Sequence, residues 1–399
     1  MKKLSIVIPA YNEEEAIRSI IDRTINAAEK IKAETDIQDV EVIVVNDGSS
    51  DRTVEIAQEF SDKNLIHLIS YPKNRGYGAA IKLGFDAASG DLVSFLDADG
   101  TCDPLWFIQF LQKMKQDSSD IVIGSRLNPE SDMPLVRKFG NLFYRDLVKL
   151  ISSSHVDDIA SGMRIIKKSA LQKLYPLPDG MHFTPAMSVR AILDRNIKIE
   201  EVPIPYKERI GTSKLKVVKD GFRFLVTILE IAFTYKPLRL FGMVGLMFLL
   251  LALLYGVGPV LHYMKFRNVP EDRIYRLIFV IVAGISGIQL LSAGLIAQAI
   301  TNLVHGYELN TAMGRILNRA FLRRLAFFGL LFIFFAIVIN VRTIEQYITF
   351  RRILVHWSYV VTGGLFILIG MQLLAFSMIN RIITLLKEQQ HAGRDASLH

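Results

Sequence analysis

The stretch LVSFLDADG, residues 92–100, joins a short apolar run to two carboxylates. The apolar run predicts a buried β-strand, and Asp97 and Asp99 follow where that strand is expected to end. Two carboxylates one residue apart at such a junction can reach the same hard cation, and Mg²⁺ and Mn²⁺ both prefer oxygen ligands. A solvated acidic turn would have the same sequence, so the surrounding chain has to decide between a metal site and a turn.

Short β-branched runs alternate with helical stretches through the first part of the chain. The runs are LSIVIPA (4–10), VEVIVVND (40–47), NLIHLIS (64–70), DLVSFLDAD (91–99) and DIVIGS (120–125). Helices are predicted from about Glu13 to Lys32 and after Ser50, Gly76 and Pro104. Such alternation predicts an α/β domain with a mostly parallel sheet and helices on both faces.

Three of these strands are followed by residues that can bind a ligand: Pro9, Tyr11 and Glu13 after the first, Asp47 after the second, and Asp97 with Asp99 after the fourth. Ligands of open α/β sheets bind at the carboxyl ends of the strands, so we expect these residues to meet at one crevice. We expect the Asp47 carboxylate to accept hydrogen bonds from a base or a ribose there.

Other nucleotide-binding motifs are absent from the sequence. NRGYGAAIKLG, residues 74–84, has Ile81 where a dinucleotide fingerprint needs its last glycine, and no G-x-x-x-x-G-K-[ST] occurs. NAD-type chemistry and P-loop chemistry therefore both lack support.

The net charge and the cysteine count of the chain limit the classes of binding partner and metal site that it can have. A net charge of +8 fits a protein that works beside an anionic membrane face on a phosphorylated substrate. It would equally fit weak nucleic-acid binding, but no nucleic-acid motif accompanies it, so we expect no nucleic-acid partner. The single cysteine, Cys102, excludes an intramolecular disulfide and any cysteine metal cluster, and we interpret it as a packing residue.

Apolar residues are concentrated in the second part of the chain. Four runs there contain no Asp, Glu, Lys or Arg: residues 240–261, 277–304, 325–341 and 353–380. A membrane-spanning helix needs about 20 apolar residues, with a range of about 17–25. We therefore predict four membrane-spanning helices, and the lack of charges inside them disfavours an ion-coupled transporter.

Basic residues beside these runs indicate an orientation. Two groups flank the runs on one side: Lys236 and Arg239 before the first, and Arg315, Arg319, Arg323 and Arg324 between the second and third. These ends should face the cytoplasm, although the opposite loops also carry basic residues. The first apolar run breaks at Pro9 and is too short for a signal peptide. We predict a multi-pass protein of the cell membrane with a cytoplasmic N-terminal domain.

A basic stretch, YKERIGTSKLKVVKDGFR (206–223), separates the two parts. Membrane anchoring would explain it, since each basic residue contributes about 1 kcal/mol against anionic lipid. Phosphate binding by Arg209 and Lys214 would explain it equally, and both can hold. The predicted domains are an α/β domain (1–216), an amphipathic interfacial helix (217–237), a four-helix membrane domain (238–383) and a polar tail (384–399).

Six short motifs follow one another along the chain. They are IVIPAYNEEE with Pro9, Tyr11 and Glu13; VVNDGSSDRT with Asp47; FLDADG with Asp97, Ala98 and Asp99; IVIGSR with Arg126; DIASGMR with Asp158, Ser161, Gly162 and Arg164; and ERIGTSK with Arg209, Ser213 and Lys214. Over residues 4–216 the chain thereby resembles the family 2 glycosyltransferases of GT-A fold. Within that family it is similar to the polyprenyl-phosphate sugar synthases, such as dolichol-phosphate mannose synthases.

The resemblance implies an inverting, membrane-bound enzyme that moves a hexose from a GDP or UDP sugar to dolichyl or undecaprenyl phosphate. It implies Mg²⁺ or Mn²⁺ on Asp97 and Asp99. The implied donor-binding residues are Pro9, Tyr11, Glu13, Asp47, Asp97, Ala98, Asp99, Arg126, Arg209 and Lys214. The implied catalytic residues are Asp99, Asp158, Arg126 and Arg209. The implied acceptor-phosphate residues are Ser161, Arg164, Arg209, Ser213 and Lys214.

Several alternatives stay open at this point. Asp158 could orient the acceptor or take a residual proton, or it could only stabilise its loop by pairing with Arg164. A homo-oligomer is compatible with the sequence. A processive polysaccharide synthase is disfavoured because the only tryptophans, Trp106 and Trp357, do not follow an arginine as Q-x-x-R-W requires. A non-catalytic membrane anchor or flippase partner should have lost a metal carboxylate or a phosphate-binding base, and all are present.

Overall fold

A computed structural model of the protein describes residues 2–129, 131, 133–152, 155–266, 274–307, 318–352 and 354–396, with side chains in the last range described to residue 386. The chain divides into two compact units, Met1–Ala232 and Phe233–His399. Arg315, the rest of 308–317 between the second and third predicted spans, Ile353 and the last residues of the polar tail lie outside the described residues.

The first unit is built on one sheet. Its strands are β1 (Lys3–Ala10), β2 (Asp39–Asp47), β3 (His67–Tyr71), β4 (Leu92–Phe95), β5 (Ile121–Ser125), β6 (Arg164–Lys167) and β7 (Ile199–Pro203). They lie side by side in the order β3-β2-β1-β4-β6-β5-β7. β6 runs antiparallel to both of its neighbours, and the remaining pairings are parallel. The predicted α/β class and mostly parallel sheet are confirmed, and β6 and β7 are additional strands.

Helices lie between these strands and after the last of them. They are α1 (Ile17–Glu34), α2 (Thr53–Ser61), α3 (Tyr77–Ala87), α4 (Trp106–Gln116), α5 (Leu135–Ile151), α6 (Lys168–Leu174), α7 (Phe183–Leu193) and α8 (Val217–Tyr235). Successive side chains of β1 point to opposite faces, as the pleat requires. Ile6 and Ile8 join the buried cluster that contains the apolar face of α1, whereas Val7 contacts Gly84 of α3.

The winding of the sheet reverses at β1. β2 and β3 lie on one side of β1, and the chain then crosses to place β4 on the other side, with Val7 paired to Phe95. The loops that follow β1 and β4 therefore begin next to each other at the carboxyl edge. Such a switch point is where open α/β sheets bind ligands.

Strand β4 is shorter than the sequence predicts. It ends at Phe95, and one further bond, from the Leu96 N–H to the Val7 carbonyl (3.0 Å), leads into a turn in which Gly100 has a φ of +74°. That φ value favours glycine because it lacks a Cβ. Asp97 and Asp99 consequently lie in a loop and not in the strand.

Long apolar helices make up the second unit: α9 (Pro237–Phe266), α10 (Ile274–Val304), α11 (Arg319–Phe350) and α12 (Trp357–Ala396). Each is long and apolar enough to cross a membrane, α12 over Trp357–Leu386. The predicted span 325–341 is the centre of α11, which continues through its polar flanks. α9 packs against α10, and α11 packs against α12. The four predicted helices are confirmed.

Candidate active site

A cavity of about 660 Å³ opens where the loops after β1 and β4 meet. The predicted site residues that line it are Pro9, Tyr11, Glu13, Asp47, Asp97, Ala98, Asp99, Arg126, Arg209, Ser213 and Lys214. These residues come from positions more than 200 residues apart in the sequence. The fold thus brings most of the predicted set to one place.

Asp97 is held in a fixed orientation by its surroundings. The Tyr77 hydroxyl donates to its Oδ1 atom (2.6 Å), and a Cβ at Gly162 would collide with its Oδ2 atom. Burial raises the pKa of Asp97 to about 7, and the charge of Asp99 adds to this effect, against the Tyr77 hydrogen bond. Burial also raises the pKa of Tyr77 well above its usual value, so this hydroxyl remains a donor. Tyr77 was not among the site residues predicted above.

Asp99 is bound on both of its carboxylate oxygens. Its Oδ1 atom accepts from the Thr101 hydroxyl (2.7 Å) and backbone N–H (3.1 Å), and its Oδ2 atom accepts from Arg209 Nη1 (3.2 Å). Arg209 also pairs with the Glu13 carboxylate. Burial raises the pKa of Glu13, and the Arg209 charge opposes that rise. Arg209 therefore forms ion pairs with two carboxylates that line the cavity.

The donor set at this position suits a hard divalent cation. Asp97 and Asp99 supply carboxylate oxygens, and the described residues contain no cluster of three or more His, Cys, Asp or Glu side chains. Burial and, after it, the neighbouring Asp99 charge raise the pKa of Asp97, and a bound divalent cation would oppose both effects. Asp97 and Asp99 would hold such an ion, and it would supply positive charge beside a substrate diphosphate.

Arg126 lines the cavity, and hydrogen bonds to Asp158 orient its side chain. The Asp158 carboxylate accepts from Arg126 Nε (2.7 Å), Nη2 (3.0 Å) and backbone N–H (3.0 Å). Burial opposes ionisation of Asp158, but the Arg126 charge and hydrogen bonds hold its pKa below its usual value. These hydrogen bonds show that the partner of Asp158 is Arg126 and not Arg164. Asp158 is fully buried and does not line the cavity. It positions Arg126 and has no exposed oxygen for an acceptor.

Glu201 of β7 holds the turn that carries Asp158. Its carboxylate accepts from the backbone N–H groups of Asp157 (2.9 Å) and Asp158 (2.8 Å). Burial raises the pKa of Glu201 to about 7, against these two hydrogen bonds. A series of contacts thus runs from Glu201 through Asp158 to Arg126 in the cavity. Glu201 was not selected from the sequence, because its contacts lie over 40 residues away.

Ser161 and Arg164, which we expected at the acceptor phosphate, lie in the interior. Both are fully buried, and neither lines the cavity. The Arg164 guanidinium donates to the Ser161 carbonyl (2.5 Å) and the Ser188 hydroxyl (3.0 Å), and it packs over the Phe95 ring. Arg164 begins β6, whose antiparallel insertion beside β4 carries its side chain inside. The other expected acceptor residues, Arg209, Ser213 and Lys214, do line the cavity.

Asp47 organises a loop at the rim of the cavity. Its carboxylate accepts from the backbone N–H groups of Arg75 (2.7 Å) and Gly76 (3.0 Å). Gly76 has a φ of +108°, which a side chain would strain. The expected contact between Asp47 and a base or ribose stays a prediction, and the loop it holds would share in that contact.

The part of the cavity lined by α5 and α8 is rich in apolar side chains. Met133, Val136, Tyr144, Val217 and Phe224 line it, and the same two helices also contribute Arg137, Asn141 and Arg223. The Tyr144 hydroxyl donates to the Gly221 carbonyl (2.8 Å), which joins the two helices. The same two helices carry further apolar side chains that are more than half exposed, namely Leu135, Phe139, Phe143, Val218 and Phe222. A cavity with one charged end and one apolar end fits an amphiphilic substrate.

Known proteins are similar to this chain in sequence. The sequence profile of glycosyl transferase family 2 matches residues 5–175, and residues 237–394 match a domain of unknown function (DUF8752). The chain is 31% identical over 243 residues to a dolichyl-phosphate beta-glucosyltransferase of Trichomonas vaginalis, covering 58% of this chain and 71% of that protein. It is 29% identical over 303 residues to a prophage bactoprenol glucosyl transferase homolog of Escherichia coli K12, covering 75% and 93%.

A solved structure is also similar. Glucosyl-3-phosphoglycerate synthase from Mycobacterium tuberculosis, in complex with Mn²⁺, UDP and phosphoglyceric acid, has a TM-score of 0.44 and 22% identity, covering 58% of this chain and 78% of that one. The sequence relatives show that the chain is a glycosyltransferase. The chain belongs to glycosyl transferase family 2.

Metal affinity should depend on pH in a defined direction. Since the pKa of Asp97 is about 7 in the metal-free protein, a proton competes with the cation below that pH. We expect Mn²⁺ affinity, measured from the electron paramagnetic resonance signal of the free ion, to fall about tenfold per pH unit below pH 7 and to level off above it. Equal affinity at pH 5.5 and pH 8 would contradict this assignment.

Glu201 should act on catalysis through Arg126. Glu201→Ala removes two hydrogen bonds, so we expect kcat/KM to fall about tenfold or more, since each bond contributes about 1 kcal/mol. In the Arg126→Ala background the same change should have little further effect, because the group being positioned is already gone. Glu200→Gln, on the neighbouring residue, is the matched control. If the effects of Glu201→Ala and Arg126→Ala on kcat/KM are fully additive, Glu201 does not act through Arg126.

Proposed function

We propose that this protein transfers a glucose residue from a nucleoside-diphosphate sugar to a polyprenyl phosphate, at the cytoplasmic face of a membrane. Membership of family 2 and the names of the dolichyl-phosphate and bactoprenol relatives support a membrane-bound polyprenyl-phosphate glycosyltransferase. Glucose is proposed because both relatives are named glucosyltransferases. The cytoplasmic orientation rests on the basic residues beside the helices.

The observation that carries this proposal is the two-ended cavity. Its charged end contains Asp97, Asp99, Arg126, Arg209 and Lys214, and its apolar end lies between α5 and α8. A polyprenyl phosphate has one anionic group and a long hydrocarbon tail, so it would fit both ends at once. A soluble sugar acceptor would leave the apolar end and its exposed surroundings without a partner.

Charge determines the chemistry proposed for this site. An acceptor phosphate oxygen would attack the anomeric carbon of the sugar and displace the nucleoside diphosphate with inversion. Arg126, Arg209 and Lys214 would stabilise the negative charge of both phosphate-bearing groups, which is the main demand of this reaction. Because the acceptor phosphate is already ionised, no strong general base is needed. The roles given to these residues are part of the proposal.

A divalent cation, Mg²⁺ or Mn²⁺, is proposed as the cofactor. It would be held by Asp97 and Asp99 and would supply positive charge at the leaving diphosphate. Arg209 already bridges Glu13 and Asp99, so its side chain is within reach of the same diphosphate.

The donor and acceptor can be identified with a panel. Purified protein in nanodiscs would be incubated with undecaprenyl phosphate and with radiolabelled UDP-glucose, UDP-galactose or GDP-mannose. We expect UDP-glucose, the glucose donor of this panel, to transfer label to the organic phase. After chelation of divalent cations we expect no label in that phase. Preference for mannose would overturn the sugar assignment alone, whereas label that stays in the aqueous phase with every donor would overturn the lipid acceptor.

The apolar end can be tested separately from the donor site. Val136 lines the cavity and is 66% exposed, so Val136→Glu should fold normally. We expect it to raise the KM for undecaprenyl phosphate about tenfold, because a carboxylate replaces an apolar contact, and to leave the KM for the donor unchanged. Leu65→Glu changes an exposed leucine away from the cavity and serves as the control. An unchanged KM for the lipid in Val136→Glu would argue against this binding mode.

A further inference from the structure

Part of the cavity wall consists of residues without charged side chains. The start of α7 and the turn before it contribute Gly180, Met181 and Thr184, and the loop before β6 contributes Ala160. The acids and bases assigned above to the cation and the phosphates belong to other segments. We therefore expect an uncharged part of the substrate to face these residues.

Thr184 brings a hydroxyl group to this wall. The residue is 5% exposed and lines the cavity. Among the residues that the structure describes, none forms a hydrogen bond with the Thr184 hydroxyl. Buried hydroxyl groups normally have a hydrogen-bond partner, so this one is available to a bound molecule.

Ser188, one turn further along α7, shows what a satisfied hydroxyl looks like on the same face of the helix. Its hydroxyl donates to the Ile159 carbonyl (2.7 Å) and accepts from Arg164 Nη1 (3.0 Å). These bonds also fix α7 to the loop that carries Ala160, so the two parts of the wall are held together. Of the two hydroxyl-bearing residues on this face, Thr184 is the one that lines the cavity.

The turn before α7 is anchored on α3. The Asp179 carbonyl accepts from the Ala79 N–H (3.1 Å), and the Asp179 carboxylate pairs with Lys82. A Cβ at Gly78 would lie 2.2 Å from the Pro178 carbonyl oxygen, so the two segments approach each other as closely as glycine allows. The start of α7 is thereby held in place before any substrate binds, which is what recognition of a small group requires.

The position of α7 also places this wall beside the carboxylates proposed for the cation. Phe183, next to Thr184, packs against the Phe95 ring at the end of β4 (5.9 Å between ring centroids). Asp97 follows Phe95 by two residues. In a nucleoside-diphosphate sugar, the sugar is bonded directly to the diphosphate that the cation would contact. The sugar is therefore the uncharged group nearest to this end of the cavity.

We propose that the wall formed by Gly180, Met181 and Thr184 receives the sugar ring of the donor, and that the Thr184 hydroxyl forms a hydrogen bond with one hydroxyl group of that sugar. Because this assignment rests on the proposed function, it adds to that function a residue that selects the sugar. Met181 packs against the C–H groups of the ring, and the absence of a side chain at Gly180 leaves room for it. Thr184 binds the sugar and takes no part in proton transfer.

A cycle of variants and donors tests the hydrogen bond. Thr184→Val keeps the shape of the side chain and removes its hydroxyl. We would measure kcat/KM for transfer to undecaprenyl phosphate from UDP-glucose and from its 2-, 3-, 4- and 6-deoxy analogues. The native protein should use one of these analogues about 10–100-fold less well than UDP-glucose, because that analogue leaves the Thr184 hydroxyl unpaired. Thr184→Val should lose a similar factor with UDP-glucose and nothing further with that analogue.

Two further variants serve as controls. Thr184→Ser retains the hydroxyl and should retain the discrimination against the same analogue. Thr227→Val makes the same substitution at a partly buried position of α8 outside the cavity and should leave every kcat/KM unchanged. Because the Thr184 hydroxyl has no protein partner to lose, Thr184→Val should keep the native Tm, whereas a purely structural role would lower it.

Binding gives a second measurement that does not require transfer. With Mn²⁺ present, affinity for UDP-glucose should fall in Thr184→Val, and affinity for UDP, which has no hexose, should not. If Thr184→Val distinguishes the deoxy analogues as the native protein does and binds UDP-glucose normally, the sugar does not contact Thr184. If the native protein forms no lipid product, the proposed function fails, and the binding comparison still decides whether Thr184 contacts the sugar.

Discussion

Asp99→Asn is expected to lower kcat/KM for sugar transfer by about 10²–10³-fold, which is what loss of one preorganised electrostatic group typically costs. The amide keeps the size of the side chain and one oxygen for the Thr101 bonds, so the loop should stay folded. What is lost is the negative charge that faces Arg209 and that would hold a cation beside Asp97. Activity in nanodiscs and Mn²⁺ binding would both be measured, and both should decrease.

Asp103→Asn is the matched control for Asp99→Asn. Asp103 lies four residues further along the same loop, pairs with Arg23 and does not line the cavity. A partly exposed ion pair of this kind contributes about 0–1 kcal/mol, so its loss should leave kcat/KM within about twofold of the native value. If Asp99→Asn retains activity at the level of this control, the cavity is not the site of transfer.

Asp158→Asn is expected to impair both stability and activity. Removing its charge leaves the Arg126 guanidinium, itself largely buried, without its counter-ion, which typically costs about 3–5 kcal/mol. For a unit of this size that corresponds to a decrease in Tm of roughly 6–20 °C. Activity should fall about 10²-fold even at temperatures where the protein is folded, because Arg126 loses the group that orients it.

Asp157→Asn separates these effects from a general disturbance of the turn. Asp157 is the adjacent residue, and its exposed carboxylate pairs with Lys149. We expect a change in Tm of no more than about 2 °C and normal activity. A native Tm and native kcat/KM in Asp158→Asn would exclude the role assigned to the Asp158–Arg126 pair.

The sequence was sufficient to predict the elements that local patterns specify. Alternating apolar runs predicted the sheet, and the polar residues after β1, β2 and β4 were expected at one edge, where the structure brings them together. The charged end of the cavity, including Asp97, Asp99 and Arg209, was therefore anticipated almost completely. Short motifs carry such information because each residue follows its strand directly in the chain.

Partners chosen by tertiary packing were harder to predict. Asp158 could pair with Arg126 or with Arg164, and the choice depends on β6, whose antiparallel place beside β4 puts Arg164 inside. Tyr77 and Glu201 bind Asp97 and the Asp158 turn from 20 and 43 residues away. Nothing in the local sequence distinguishes these two residues from other buried tyrosines and strand glutamates.

The apolar end of the cavity did carry a sequence signal. α5 reads LVRKFGNLFYRDLVKLI, with apolar residues at helical spacing, and its exposed apolar side chains show that this face is not covered within the first unit.

Mass spectrometry of the lipid product tests the central claim most directly. Purified protein would receive UDP-glucose, undecaprenyl phosphate and Mn²⁺, with Asp99→Asn as the inactive control. The account predicts an organic-phase species equal in mass to the lipid phosphate plus one hexose, formed by the native protein and not by Asp99→Asn. Cleavage of the nucleotide sugar with release of free glucose, and an unmodified lipid phosphate, would contradict it.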